Sequence, residues 1–415
     1  MDIIVGGGIT GISYAAFCGH NDYLILEKDS ELGGYCRTTK RNGFVWDYSG
    51  HFFHFQDAAI KEFVTKYISI DDIVEIYKST YIHIKDRHVD YPFQKNIHQL
   101  SKEDLIDCLY DLFTIDKTEY STFKEMLYVK FGRSIAELFL IPYNTKLYAC
   151  DLDTLDKDAM GRFFPYAEKE DIIKNFKQHK NNSYNGTFVY PNGGAITYVE
   201  SLLNRVDKNN IRTNTEIVKI DTVNQLVELS SGEHLHYDRL ISTMPFPSLL
   251  DKAGVDYNKS YYNWNKVLVF NIGFDTKGSD SETHWVYFPE DKYCFYRVGF
   301  YSNILGSDRM SLYVELGFAK DSPIDVDSWF AKVLEDLHKA GIASPTQQVV
   351  DYESIVMNPA YVHINSNSVA DVADKKSLLE QSNVYSIGRY GSWTYCSIED
   401  NIKEAKQLAL KLNNI

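Results

Sequence analysis

The sequence predicts an α/β fold: a Rossmann-like domain with an inserted helical domain and an antiparallel β-sheet beside them. Three observations carry this expectation. Residues 2–5 (DIIV) read as a short apolar strand. The turn Gly6-Gly7-Gly8-Ile9-Thr10-Gly11 follows, then a helical spacing of Ile9, Ile12 and Ala16, then a second strand at 23–26 (YLIL). From about 101 to 181 the pattern is mostly helical with few turn signals, and SKED at 101–104 reads as a helix N-terminus. Strand patterns at 266–274, 284–288, 293–299 and 310–317 suit an antiparallel sheet.

The remaining elements follow in order. Strands are expected at 44–54 and 76–93, with Lys85-Asp86-Arg87 as a hairpin turn, and again at 187–190, 215–220 and 239–243. Amphipathic helices are expected at 324–341 and at 398–412, where Ile402, Ala405, Leu408, Ala409 and Leu412 recur at helical spacing. Repeats, low-complexity tracts and long linkers are absent from the sequence, so the domains are expected to interleave. The Rossmann-like part would use 1–60, 190–260 and 375–415, the sheet 76–94 and 262–355, and the helical part 95–185.

A chain of 415 residues can bury two or three cores. Its formal net charge of -14 opposes general binding to nucleic acid or anionic membrane, while leaving room for an anionic small ligand held by local arginines. No apolar run in the sequence is long enough to span a bilayer, and the first residues lack a signal-peptide pattern. The six cysteines are scattered without ligand spacing, so free thiols, a cytoplasmic location and no metal site are expected. The 31 tyrosines fit either an aromatic core or a cleft lined with phenols.

The G-x-G-x-x-G turn carries the first chemistry. Gly6, Gly8 and Gly11 permit a tight turn and close backbone approach, and the helix N-terminus behind them suits a pyrophosphate. Glu27, at the end of the second strand, would accept from a ribose hydroxyl and disfavours a 2′-phosphate. A glycine turn without a ligand is the plain alternative. Gly33-Gly34, closely following Glu27, resembles the second glycine motif of FAD enzymes of the glutathione reductase and amine oxidase group. That resemblance implies FAD, with Gly388 and Arg389 in a closing turn near the flavin.

Five blocks resemble the UDP-galactopyranose mutases, closer to the eukaryotic-type branch: YPFQKNI (91–97), FLIPYNTKLYA (139–149), TFVYPNGG (187–194), WVYFPEDKYCFYR (285–297) and GRYGSWTY (388–395). The resemblance runs nearly end to end. It implies an isomerase that interconverts the pyranose and furanose forms of a UDP-linked sugar, with the N5 of reduced FAD as nucleophile. Whether NADPH or NADH serves as reductant stays open, since no separate nicotinamide motif is visible. The resemblance further implies roles for individual residues. His51 would lie beside the flavin ring. Arg162, Arg297 and Arg389 would face the diphosphate and flavin, since a guanidinium fork suits phosphate oxygens. Trp285 would wall the cleft, Tyr148 would stand at the sugar side, and Tyr287, Tyr361 and Tyr395 would donate hydroxyls to the diphosphate. Tyr91 and Phe139 would flank the uracil, while Gln94 and Asn144 would read its polar edge.

Departures from the family pattern are Tyr148 where Trp is usual, Thr145 where the eukaryotic-type branch has Phe, and the run Cys396-Ser397-Ile398-Glu399-Asp400. They bear on the identity of the sugar more than on the reaction. Three alternatives stay open: a mutase acting on another nucleotide sugar, a flavin oxidase or dehydrogenase of the amine oxidase type, and a non-catalytic nucleotide-sugar binding protein. Homo-oligomerisation is a further expectation.

Overall fold

The computed structural model describes residues 1–177 and 186–413, so the last part of the expected helical stretch, 178–185, lies outside the described residues. Five short strands form a parallel sheet in the order Val384–Ser386, Arg239–Ser242, Asp2–Val5, Tyr23–Leu26, Ile211–Arg212. The apolar runs DIIV and YLIL alternate faces with the period of a strand. Ile4 and Ile25 pack with Ile12 and Ala15 of helix Ile9–Phe17 and with Ile402, Ala405 and Ala409 of helix Ile398–Asn413. Ile3, Val5, Leu24 and Leu26 face the other way, onto the antiparallel strands Ile217–Asp221 and Leu226–Leu229 and helix Phe246–Ala253. Burial on both faces is why residues 3–5 and 24–26 are continuously apolar.

The second sheet runs Val349–Met357, Asn263–Phe274, Ser311–Ala319, Arg297–Phe300, Trp285–Tyr287, Thr80–Ile84, Arg87–Asp90. Its pairs are antiparallel except Trp285–Tyr287 against Thr80–Ile84, which is parallel. The hairpin joining its last two strands turns at Lys85 and Asp86, both with positive φ (48° and 57°), as a tight two-residue turn needs. One face, through Leu268, Phe270, Val286, Val298, Leu312 and Val314, is covered by helix Val326–Lys339. The other, through Val267, Val269, Trp285, Tyr287 and Tyr313, packs toward the helical segment.

That segment is not one continuous helical stretch. Helix Lys102–Phe113 starts at Ser101, whose side chain accepts the Asp104 N–H. Helix Phe123–Ile135 is kinked at Gly132 (φ 76°), where a Cβ would come within 2.8 Å of the Asp111 and Leu112 backbone. The chain then passes through a π-helical turn, Ala136–Leu140, into helix Ile141–Tyr148. The expected strand at 44–54 is also shorter, ending at Asp47 in Phe44–Asp47. Ser49 takes φ 77°, which turns the chain inward so that the 49–54 stretch lines a cavity instead of extending a sheet.

Candidate functional site

Two cavities meet in the middle of the molecule. The larger, about 760 Å³, is lined by Gly6, Gly8, Glu27, Gly33, Gly34, Arg37, Gly388 and Arg389 among others. The smaller, about 250 Å³, is lined by Tyr91, Phe139, Asn144, Trp285, Tyr287, Arg297, Tyr361 and Tyr395 among others. His51, Arg389, Cys396 and Ile398 line both, so they form the shared wall.

The first cavity is shaped by absent side chains. Gly33 donates its N–H to Gly7 O at 2.7 Å, bringing the two glycine turns against each other. A Cβ at Gly34 would lie 3.4 Å from the Gly8 Cα, and one at Gly8 would meet only Gly34 Cα, at 3.9 Å, so Gly8 faces open space. Gly6 serves packing instead: at φ 101° its Cβ would overlap Thr243 Oγ1. Gly11 lets helix and strand close up, since its Cβ would overlap Gly6 O. Gly388 (φ 86°) passes Thr10 at a distance that no Cβ allows without movement, 2.8 Å to Oγ1. The Glu27 carboxylate accepts Gly7 N–H at 2.7 Å and Asp29 N–H at 2.9 Å. It thus fixes the glycine turn and, with lone pairs to spare, can still accept from a hydroxyl. The N–H groups of Gly388 and Arg389 are taken by Glu404 (2.8 Å) and Asn401 (2.7 Å), so this turn is tied to the last helix. A cavity of about 760 Å³ over paired glycines, lined also by the Glu27 carboxylate and the Arg389 cation, has room for a dinucleotide such as FAD.

The second cavity collects cations and phenols. Arg389 lies 5.1 Å from the Tyr361 ring centroid and 4.9 Å from that of Tyr395, and those rings stack at 5.9 Å. Arg297 is not a free fork. Its Nε and Nη2 donate to Glu315 at 2.7 and 2.6 Å, and Glu315 is fully buried. Ser49 Oγ also donates to Glu315, which joins this pair to the turn carrying His51. Arg297 therefore offers Nη1 and a partly neutralised charge. Trp285 and Tyr287 point to one face, and Trp285 Nε1–H donates to the Tyr287 hydroxyl at 2.8 Å. Burial pushes the Tyr287 and Tyr361 phenols above their ordinary range, so both stay protonated donors at neutral pH. His51 is held down to about 4 by burial and then by the Arg389 charge, and its buried Nδ1 has no protein partner.

The amides are oriented by their donors. Asn144 Nδ2 donates to Leu140 O at 2.6 Å and Gln94 Nε2 to Pro165 O, leaving Asn144 Oδ1 and Gln94 Oε1 as buried acceptors without partners. Asn144 lines the cavity, whereas Gln94 does not. Phe139 lies with Phe93 at 5.2 Å on one side and stacks on Tyr143 at 5.2 Å on another, and Tyr91 sits 5.0 Å from Tyr287. Besides Gln94, two more expected residues lie outside the lining. Tyr148 is behind Tyr361, 5.8 Å between rings, with a buried, unpartnered hydroxyl, and does not line the cavity. Arg162 is at the rim, 44% exposed and ion-paired with Asp400 at 2.5 Å, because an exposed turn carries it outside the lining.

Sequence reasoning missed Glu315 and Tyr143. The signal for Glu315 was a lone carboxylate inside the apolar run SLYVELGFA, and strand register sets it directly opposite Arg297. Tyr143 follows Phe139 by one helical turn. Among the described residues, no cluster of three or more His, Cys, Asp or Glu is placed to hold a metal ion, and no helix is long and apolar enough to cross a membrane.

Comparison with known proteins agrees with this architecture. Residues 4–67 match the family described as NAD(P)-binding Rossmann-like domain. Over its whole length the chain superposes on a reduced UDP-galactopyranose mutase, with TM-score 0.91 and 23% identity, covering 100% of this chain and 95% of that one. A protein of Exiguobacterium sp. 255-15, provisionally described as a protoporphyrinogen oxidase, gives TM-score 0.77 at 16% identity, covering 100% and 98%. Cyclohexylamine oxidase from Brevibacterium oxydans gives 0.70 at 11%, covering 100% and 98%. At these identities the likeness is one of fold: a mixed α/β protein on a Rossmann-like domain.

Proposed function

We propose that this chain is an FAD-dependent mutase that interconverts the pyranose and furanose forms of a nucleotide-linked sugar, with UDP-galactopyranose and UDP-galactofuranose as the leading pair. The observation that carries the reading is the shared wall of His51 and Arg389 between a glycine-lined cavity of about 760 Å³ and a cavity bearing arginine and tyrosine donors. When bound, reduced flavin supplies a nucleophilic nitrogen for the anomeric carbon, so turnover needs a reduced cofactor but consumes no electrons. The protein's part is electrostatic and positional. Arg389 and Arg297 Nη1 offset the charge of the diphosphate as it leaves and returns. Tyr287, Tyr361 and Tyr395, which line the same cavity, would donate their hydroxyls to its oxygens. Neutral His51 adds no charge to the shared wall and can exchange one hydrogen bond through Nδ1. Trp285, with Phe52 stacked on it at 5.3 Å, walls one side of the cavity. Asn144 Oδ1 offers an acceptor to the imide N–H of a uracil.

The test is anaerobic incubation of dithionite-reduced enzyme with UDP-galactofuranose and several UDP-hexoses, with products separated by chromatography. Many turnovers should follow one reduction, while oxidised enzyme should be silent. Equal activity in both states would refute the mechanism. Peroxide formation with amine substrates would move the assignment to an oxidase, in keeping with the fold of cyclohexylamine oxidase.

A further inference from the structure

Arg162 was expected at the diphosphate, yet it is held by a carboxylate. Its Nη2 meets Asp400 Oδ1 at 2.5 Å, and its Nη1 reaches Gln56 Oε1 at 3.5 Å. This contact joins the turn Gly161–Phe163 to the first turn of helix Ile398–Asn413 across the rim of the second cavity. Met160 and Phe163 on one side of the contact, and Ser397, Ile398 and Glu399 on the other, all line that cavity.

Both partners are held by their own segments. Asp400 Oδ2 accepts the Ser397 N–H at 2.9 Å and its hydroxyl at 2.8 Å, which fixes the carboxylate at the helix start. Arg162 follows Gly161, which has φ 48° and open space at its Cβ position, and its guanidinium lies 4.9 Å from the Phe163 ring centroid. The pair is also partly open to solvent, 44% on the arginine and 29% on the aspartate. Exposed pairs are weak, so their partners exchange at little cost.

We propose that Asp400 is a competing anion: it parks Arg162 at the rim, and a nucleoside diphosphate entering the second cavity takes the guanidinium from it. Asp400 thereby sets how tightly the diphosphate is held. This inference rests on the proposed reading of the second cavity as a diphosphate site. A site that must release and recapture the same leaving group gains from a cation that engages it only at the expense of another contact.

The test is calorimetric titration of the FAD-loaded, oxidised protein with UDP and with inorganic pyrophosphate, in wild type, Asp400→Asn, Arg162→Ala and the double variant. Asp400→Asn should bind both ligands more tightly, by about three- to tenfold, because the shared diphosphate carries the effect. Arg162→Ala should bind both more weakly, and adding Asp400→Asn to it should restore nothing. Asp400→Ser, which retains an acceptor for the Ser397 N–H, should repeat the gain if Asp400→Asn proves unstable. Unchanged or weaker affinity in both Asp400 variants overturns the competition and leaves the proposed function standing. So does an equal gain in the Arg162→Ala background. Failure of wild type and all variants to bind either ligand overturns both.

Discussion

Glu315→Gln is the sharpest test of how the site is held together. The substitution keeps shape and removes one charge from a pair whose carboxylate is fully buried and whose guanidinium is 19% exposed. Two short contacts from Arg297, at 2.7 and 2.6 Å, and one from Ser49 converge on this carboxylate. Removing one partner of a buried ion pair costs about 3–5 kcal/mol, because the remaining charge is left without compensation. Glutamine retains one acceptor oxygen, which places the loss near the lower end, about 3 kcal/mol. At roughly 2 °C per kcal/mol for a large domain, the midpoint of unfolding should fall by about 6 °C. Scanning calorimetry of the flavin-loaded protein reads this directly. UDP titration should also show weaker binding, since Arg297 loses the contact that aims it. A variant melting within a degree of wild type would refute the account of Glu315 as the anchor of Arg297 and of the His51 turn.

Three further outcomes follow from the geometry. Asp47 is fully buried, and burial pushes its carboxyl up to about 6, against hydrogen bonds from Thr38, Tyr190 and the Ala195 N–H. A carboxyl raised above its ordinary value favours the fold when protonated. Its contribution of about 3 kcal/mol is thus fully present below about pH 4 and lost as pH rises through about 6, and Asp47→Asn should remove that slope from the stability profile. Gly8→Leu should leave the melting of the flavin-free protein nearly unchanged but lower flavin retention at least tenfold, whereas Gly6→Ala should destabilise the fold itself, where its Cβ meets Thr243; flavin absorbance and calorimetry separate the two. Asn144 presents only an acceptor, so CDP, whose ring lacks an imide N–H, should bind at least tenfold more weakly than UDP, and Asn144→Ala should narrow that gap.

The sequence disclosed the parts of this molecule that are local. DIIV, the glycine turn, YLIL and Glu27 lie within one short stretch, and their spacing alone sets strand, turn and helix. The hairpin at Lys85-Asp86 and the cap at Ser101 were legible for the same reason. Long-range contacts were not. The helical pattern carried no sign that Gly132 must yield to the Asp111 backbone, because that contact exists only after two helices cross. Nor did anything near Ser49 announce that the strand would stop to send its hydroxyl to Glu315, 266 residues away. At the site, the resemblance pointed to Arg297, Arg389, Tyr361 and Tyr395, which do come together around one cavity. It placed Arg162 at the diphosphate without its partner Asp400, which lies 238 residues further on. It assigned Tyr148 to the sugar side, although Tyr361 stands in front of it.

The strand order has a consequence for how the chain is made. Asp2–Val5 lies in the middle of the parallel sheet, between a strand that follows at once and one, Arg239–Ser242, that comes more than two hundred residues later. The helix that seals one face of this sheet, Ile398–Asn413, is the last among the described residues, and its Asn401 meets Thr10 across 391 residues. At about 5–20 residues per second, the first strands leave the ribosome roughly 20–80 s before that helix exists. For that interval DIIV and YLIL are sticky, half-partnered segments that a holding chaperone would recognise. Removing helix Ile398–Asn413 would make the exposure permanent, so the yield of intact protein should depend on conditions that slow aggregation more than on those that hasten synthesis.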